Sequence, residues 1–110
     1  MKFEVQNNNV LVYQNKKGLS ELFNLFNLKY PKFKANNIIL FIDETQTPET
    51  DFLSAVLEFT KSHQDNKKSF VVVAPQWSQG DIPEDIVCVP TLQEANDLIE
   101  MDEMQRDLGF

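Results

Sequence analysis

The sequence predicts an α/β fold in which an N-terminal β-hairpin leads into a mixed, mostly parallel sheet covered by helices. Apolar residues follow one another without alternation at 38–42 and again at 70–73. Such runs are typical of strands that are buried on both faces of a sheet. Stretches with helical spacing or long connections separate the later strands, so we expect those strands to lie parallel.

Two short β-rich segments at the start of the chain should pair as a hairpin. Phe3 and Val5 alternate with polar residues over 2–6, and 10–13 is a second β-rich run. The three asparagines between them predict a turn, because asparagine tolerates positive φ. An unpaired outer edge of this hairpin would give a route to a homodimer.

Apolar residues at helical spacing predict a first helix after a polar break at 15–18. They are Leu19, Leu22, Phe23, Phe26 and Tyr30. We expect Ser20 to cap the helix and Pro31 to end it. The aromatic stripe should pack against the sheet rather than hold a ligand.

The stretch 38–59 reads as a buried strand, a polar turn and a second helix. Thr47, Pro48 and Glu49 match a helix N-cap, a first-turn proline and a first-turn acid. His63 should lie at the end of this helix, where a cationic side chain would favour the helix dipole. We expect a polar helix exit and loop at 63–68.

The last third predicts a turn-rich connection, a short strand and a closing helix. The connection, 75–84, holds the single tryptophan, Trp77. Cys88 should be a small buried residue of the strand 86–89. Thr91 and Glu94 form a capping box. The apolar face of the closing helix should consist of Leu92, Ala95, Leu98 and Ile99. The predicted element order is ββ-α-β-α-β-β-α.

Composition limits the class of protein. With 110 residues, 42% of them hydrophobic and 25% charged, the chain suits a single globular domain, 1–110. We expect a cytoplasmic protein, because the start of the chain is not a signal peptide and there is one cysteine. Residues 81–110 carry nine acidic side chains and one basic one. This excess argues against nucleic-acid binding and leaves two readings, a solvated acidic helix or a site for a basic partner protein.

Catalytic and cofactor motifs are not evident in the sequence. One histidine, three glycines and one cysteine provide neither a zinc motif nor a glycine-rich phosphate loop. Four carboxylates, at Asp43, Glu44, Glu49 and Asp51, converge on the turn before the second helix. They could hold a hard cation such as Mg²⁺, although capping of a helix N-terminus explains them more simply. We expect no enzyme activity and no cofactor.

In its order of elements, nearly the whole chain resembles a STAS domain, the fold of anti-sigma factor antagonists and of the cytoplasmic tails of sulfate transporters. The closing Val-Pro-Thr-Leu-Gln-Glu-Ala-Asn at 89–96 is similar to the family's last strand and helix. The resemblance implies a non-enzymatic regulatory module that binds another protein. The partner it implies is a kinase-type anti-sigma factor.

The functional turn of STAS domains usually reads like Asp-Ser-Ser-Gly-Leu-Gly, where 49–54 here reads Glu-Thr-Asp-Phe-Leu-Ser. Asp51 then stands at the serine that is phosphorylated in the antagonists, so its charge resembles a weak, constant phospho-mimic. The switch and partner-binding residues implied by the resemblance are Thr47, Glu49, Thr50, Asp51 and Ser54. Trp77 is either an interaction anchor or a lid packed on the sheet edge.

The ending 103–110 also resembles small flavobacterial proteins, some of which carry the name ribonuclease Z. That activity needs a two-metal motif rich in histidine and aspartate, which a chain with one histidine cannot supply. Another function class stays open, because some STAS-like domains bind nucleotides or lipids. In that case the chain would be a small-ligand sensor, for a nucleotide or cation, or an accessory subunit of an enzyme.

Overall fold

The computed structural model describes residues 2–6, 8–13, 19–42, 50–75, 77, 80 and 82–109. The strands and helices of these residues follow the predicted order. They are β1 (Lys2–Gln6), β2 (Asn9–Tyr13), α1 (Leu19–Phe33), β3 (Asn37–Phe41), α2 (Thr50–Asp65), β4 (Phe70–Val73), β5 (Val87–Val89) and α3 (Leu92–Asp107).

The strands form one sheet in the order β1-β2-β3-β4-β5. β1 and β2 pair antiparallel, and every later neighbouring pair is parallel. The predicted fold class is therefore confirmed, with a hairpin that leads into a parallel sheet. β1 and β5 are the edge strands of this sheet.

Helices cover both faces of the sheet, which explains why the central strands lack alternation. On one face, side chains of α1 and α2 pack over a buried cluster that includes Val12, Leu40 and Val72. On the other face, Ala95 and Ile99 of α3 pack against Leu11, Ile39 and Val71. Consecutive residues of β2, β3 and β4 thus point into two different cores.

The first helix corrects two of the expected boundaries. α1 includes Pro31 and continues to Phe33. Pro31 is exposed, and the ring of Phe33 packs against Phe3 with 5.1 Å between ring centroids. We attribute the extra residues to this packing, because tertiary contacts override local propensity. Ser20 is not the N-cap, since α1 already begins at Leu19.

α2 also extends beyond its expected end, with Asp65 as its last residue. His63 therefore lies inside the last turn, and the connection to β4 shrinks to 66–69. The turn 43–49 and the segment 14–18 lie outside the described residues. In the sequence they come after β3 and β2, respectively.

Candidate functional site

The start of α2 holds those predicted switch residues that the structure describes. Thr50 is the first residue of α2 and is exposed, and Ser54 is exposed one turn later. Residues four apart are neighbours on a helix surface, so two hydroxyl groups lie on adjacent turns. The backbone of Asp51 is in α2, but its side chain is outside the described part.

The other residues predicted to function in this turn are not among the residues that the structure describes. Thr47 and Glu49 lie outside the described residues, as do Asp43 and Glu44 of the suggested cation site. Within the described ranges, no group of three or more His, Cys, Asp or Glu side chains is placed to hold a metal ion. The cation and switch assignments therefore stay predictions.

Trp77 is half-buried and packs against the cluster under α1 and α2. Its backbone N–H donates to the carbonyl of Ala74 at 3.1 Å, which anchors the chain just after β4. The part of the indole that stays accessible is the part that an interaction partner could reach. Its role as an anchor stays a prediction.

A buried polar cluster joins α3 to the amino-terminal ends of the parallel strands. The Asn37 side chain is fully buried and donates to Glu103 Oε1 at 2.7 Å and to Asn9 Oδ1 at 3.1 Å. Its Oδ1 accepts the backbone N–H of Ser69 at 2.9 Å. Asn37 thus ties β3 to its two neighbouring strands and to the helix above.

Ser69 continues this polar cluster. Its hydroxyl donates to Asp102 at 2.8 Å and accepts from Arg106 at 3.1 Å. Three charged side chains of α3, at Asp102, Glu103 and Arg106, are therefore engaged within the fold. Sequence reasoning missed the cluster, although the polar residues that begin β3 and precede β4 were a readable signal.

An open cleft of about 360 Å³ lies beside this cluster. It is lined by Asn8, Lys67, Lys68, Glu103, Arg106 and Asp107. Lys67 has a positive φ of 61° at the end of α2, in the left-handed conformation common where helices end. The lining carries both signs of charge, with one cation more than anions.

His63 differs from the expected cationic helix end. It is fully buried, its Nε2 lies 2.6 Å from the carbonyl oxygen of Asn36, and its Nδ1 lies 2.7 Å from the Tyr30 hydroxyl. Since a carbonyl only accepts, Nε2 carries the proton, and Nδ1 accepts from Tyr30 in the neutral ring.

The electrostatics of His63 support this neutral form. Burial lowers the pKa of His63, and nearby Lys68 and Arg106 lower it further, against an opposing contribution from the Asn36 carbonyl. His63 does lie in the last turn of α2, as predicted, but burial disfavours the cationic form that was expected there. The side chain links α1 to α2 as a neutral hydrogen-bonding group.

The outward side of α3 carries three exposed apolar side chains at helical spacing. Met101 is 56% exposed, Met104 59% and Leu108 70%. The predicted apolar face lies on the opposite side, where Ala95 and Ile99 are buried. The predicted capping box is confirmed, because the Glu94 backbone N–H donates to Thr91 Oγ1 at 3.2 Å.

This outer stripe was missed because the sequence reading ended the apolar pattern near Met104. The spacing of Met101, Met104 and Leu108, at i, i+3 and i+7, would have revealed it. No helix in the part of the chain that the structure describes is long and apolar enough to cross a membrane.

No protein-family model matches the chain, and no curated protein matches it in sequence. In three dimensions the chain is similar to the NMR structure of the protein TM1081, with a TM-score of 0.66. The likeness covers 89% of this chain and 86% of that chain, at 17% sequence identity. At this identity it supports the α/β fold, and function has to be argued from the sites.

Proposed function

We propose that the chain is a non-enzymatic, STAS-like interaction module that regulates another protein in the bacterial cytoplasm. The observation that carries the proposal is the pair of exposed hydroxyl side chains, Thr50 and Ser54, at the start of α2. They lie on the helix that follows a central parallel strand, where the STAS resemblance places the partner-binding switch.

The chemistry of a helix start supports this position. The first backbone N–H groups of a helix have no intrahelical acceptor, and the dipole favours negative charge there. Asp51 would supply that charge constantly, where the family's serine acquires it by phosphorylation. Partner binding at this turn would then be constitutive, and phosphorylation of Thr50 would add a further regulated charge.

The partner class that the resemblance suggests is a kinase-type anti-sigma factor. Such a partner would meet the turn 47–50 and the first turns of α2, with the acidic α3 steering its approach over longer range. Trp77 would add an aromatic anchor, since tryptophan is enriched among residues that dominate binding energy.

The test is affinity capture from a native bacterial lysate with the wild type and a Glu49→Lys/Asp51→Lys variant. The matched control is Glu84→Lys/Asp85→Lys, which makes the same charge change at two exposed positions before β5. The proposal expects a protein captured by wild type and control but lost with the turn variant. If all three proteins capture the same set, the turn is not the docking surface.

A second candidate is an anion-binding sensor, which the cleft beside Lys67, Lys68 and Arg106 favours. A thermal-shift screen against nucleotides and divalent cations would test it. Stabilisation by a nucleotide that disappears in Lys67→Ala/Lys68→Ala would support a sensor. A flat response in the wild-type protein would remove this candidate.

A further inference from the structure

We propose that the outer face of α3 is a second docking surface, for a basic amphipathic helix of a partner protein. We define the outer α3 face as Met101, Met104 and Leu108 with the flanking Glu100 and Asp107. The inference rests on the proposed function only in that the chain is an interaction module. It assigns a surface separate from the turn before α2.

The apolar part of this face has the geometry of a helix-pairing seam. Met101, Met104 and Leu108 occupy alternating spacings of three and four, as the a and d positions of a heptad repeat do. Each side chain is more than half exposed, and together they extend over two turns of one side of the helix. Methionine suits such a surface, because its flexible thioether adapts to a partner's shape.

Charge decides which kind of helix fits. Glu100 and Asp107 precede Met101 and Leu108 directly, so they take the g positions that border a helix-pairing seam. Glu94 and Asp97 are also exposed near the start of the helix. The one cation of α3, Arg106, is half-buried and donates to Ser69 inside the fold. The surface therefore presents apolar side chains beside a negative border at the g positions.

A second copy of the same helix fits poorly on this surface. An antiparallel pairing of two outer α3 faces would bring Glu100 and Asp107 of both copies together, where like charges repel. A helix with leucine-like residues at its a and d positions and lysine or arginine at e and g meets both requirements. Two turns form a short seam, so we expect moderate, salt-sensitive affinity.

The test is a titration of the full chain with synthetic helical peptides of about 18 residues. One peptide carries leucine at a and d and lysine at e and g, and its counterpart carries glutamate at e and g. Fluorescence anisotropy gives the affinities, and backbone amide NMR shifts locate the contact. We expect the lysine peptide to bind at least about tenfold tighter than the glutamate peptide.

Three variants sharpen the result. Met101→Gln/Met104→Gln/Leu108→Gln should lose at least about tenfold in affinity for the lysine peptide. Glu100→Lys/Asp107→Lys should reverse the preference toward the glutamate peptide. The matched control is Leu28→Gln, at a 77% exposed leucine of α1, which should leave binding unchanged. All substituted side chains are exposed or outward-facing, and circular dichroism verifies the fold.

Two results would overturn the proposal. One is a lysine-peptide affinity that falls no more in the α3 variants than in Leu28→Gln, or NMR shifts that lie outside α3. The other is a dimer in light scattering that the triple-glutamine variant dissociates, which would make a second copy the occupant. Neither result involves Glu49 or Asp51, so the α3 surface and the turn before α2 can fail independently.

Discussion

Replacing Tyr30 with phenylalanine should destabilise the protein by about 1–3 kcal/mol, because it leaves a buried ring nitrogen without its donor. The Tyr30 hydroxyl lies 2.7 Å from Nδ1 of His63, and His63 has no exposed surface. Water therefore cannot replace the lost hydroxyl without a structural change. Asn66, the other partner of this hydroxyl, is exposed and can turn to solvent.

The size of the expected loss in stability follows from the contacts that Tyr30→Phe preserves. The aromatic ring stays, so its edge-on contact with Phe59, at 5.0 Å between ring centroids, is preserved and no large cavity forms. The loss then consists of one hydrogen bond and one unsatisfied buried acceptor. Against a total stability of about 5–15 kcal/mol for a small domain, a loss of this size is easily measured.

The assay is urea unfolding followed by the fluorescence of Trp77, the single tryptophan, which is half-buried in the core cluster under α1 and α2. Tyr13→Phe is the matched control, because the Tyr13 hydroxyl lies 3.5 Å from Glu4 of the edge strand β1, and both side chains are half-buried. We expect a clearly smaller loss in this control. Equal losses in the two variants, or an unchanged Tyr30→Phe, would refute the network at His63.

Three further predictions concern the buried His63 and Asn37 and the thiol of Cys88, which is half-buried rather than fully buried as the sequence predicted. The pKa of His63 lies below its usual 6.5 in the folded protein. As the pH falls, the unfolded chain therefore takes up the proton first, and the free energy of unfolding should decrease as the pH drops below 6.5. Urea unfolding at several pH values should show this decrease, and His63→Gln should reduce it. Asn37→Ala should cost about 2–4 kcal/mol, because it orphans the buried N–H of Ser69 and frees Glu103 from its donor; Asn9→Ala, at a half-buried position, should cost less in the same assay. Burial raises the pKa of the Cys88 thiol, so a thiol reagent should label the folded protein much more slowly than the urea-unfolded chain, and equal rates would show an accessible thiolate.

Local sequence patterns predicted a strand or helix correctly where its bounds depend on neighbouring residues in the chain. The run 70–73 predicted β4 with its observed bounds, and Thr91 with Glu94 predicted the start of α3. Burial on both sheet faces leaves a signature in every residue of a strand, so such strands are readable without a structure. A capping box is equally local, because it involves residues three apart.

Features that depend on distant partners could not be read in this way. The prediction that Pro31 ends the first helix failed because Phe33, two residues later, packs on Phe3 of β1. The burial that disfavours a charge on His63 could not be predicted, because its partners, Tyr30 and Asn36, lie about 30 residues away in the chain. Spacing along the sequence does not show which distant groups a polar side chain will meet.

The two ends of α3 show how these long-range contacts decide which surface is left open. In the first half, the inward side chains are apolar, and Ala95 and Ile99 pack on strand interiors. In the second half, the same side of the helix is polar, with Asp102, Glu103 and Arg106 directed at the strand ends. Rotating α3 about its axis to bury Met101 and Met104 would break these hydrogen bonds. It would also leave the buried side-chain amide of Asn37 without its acceptor on Glu103. The polar cluster thus fixes the rotation of α3, and that rotation leaves the outer α3 face available for a partner.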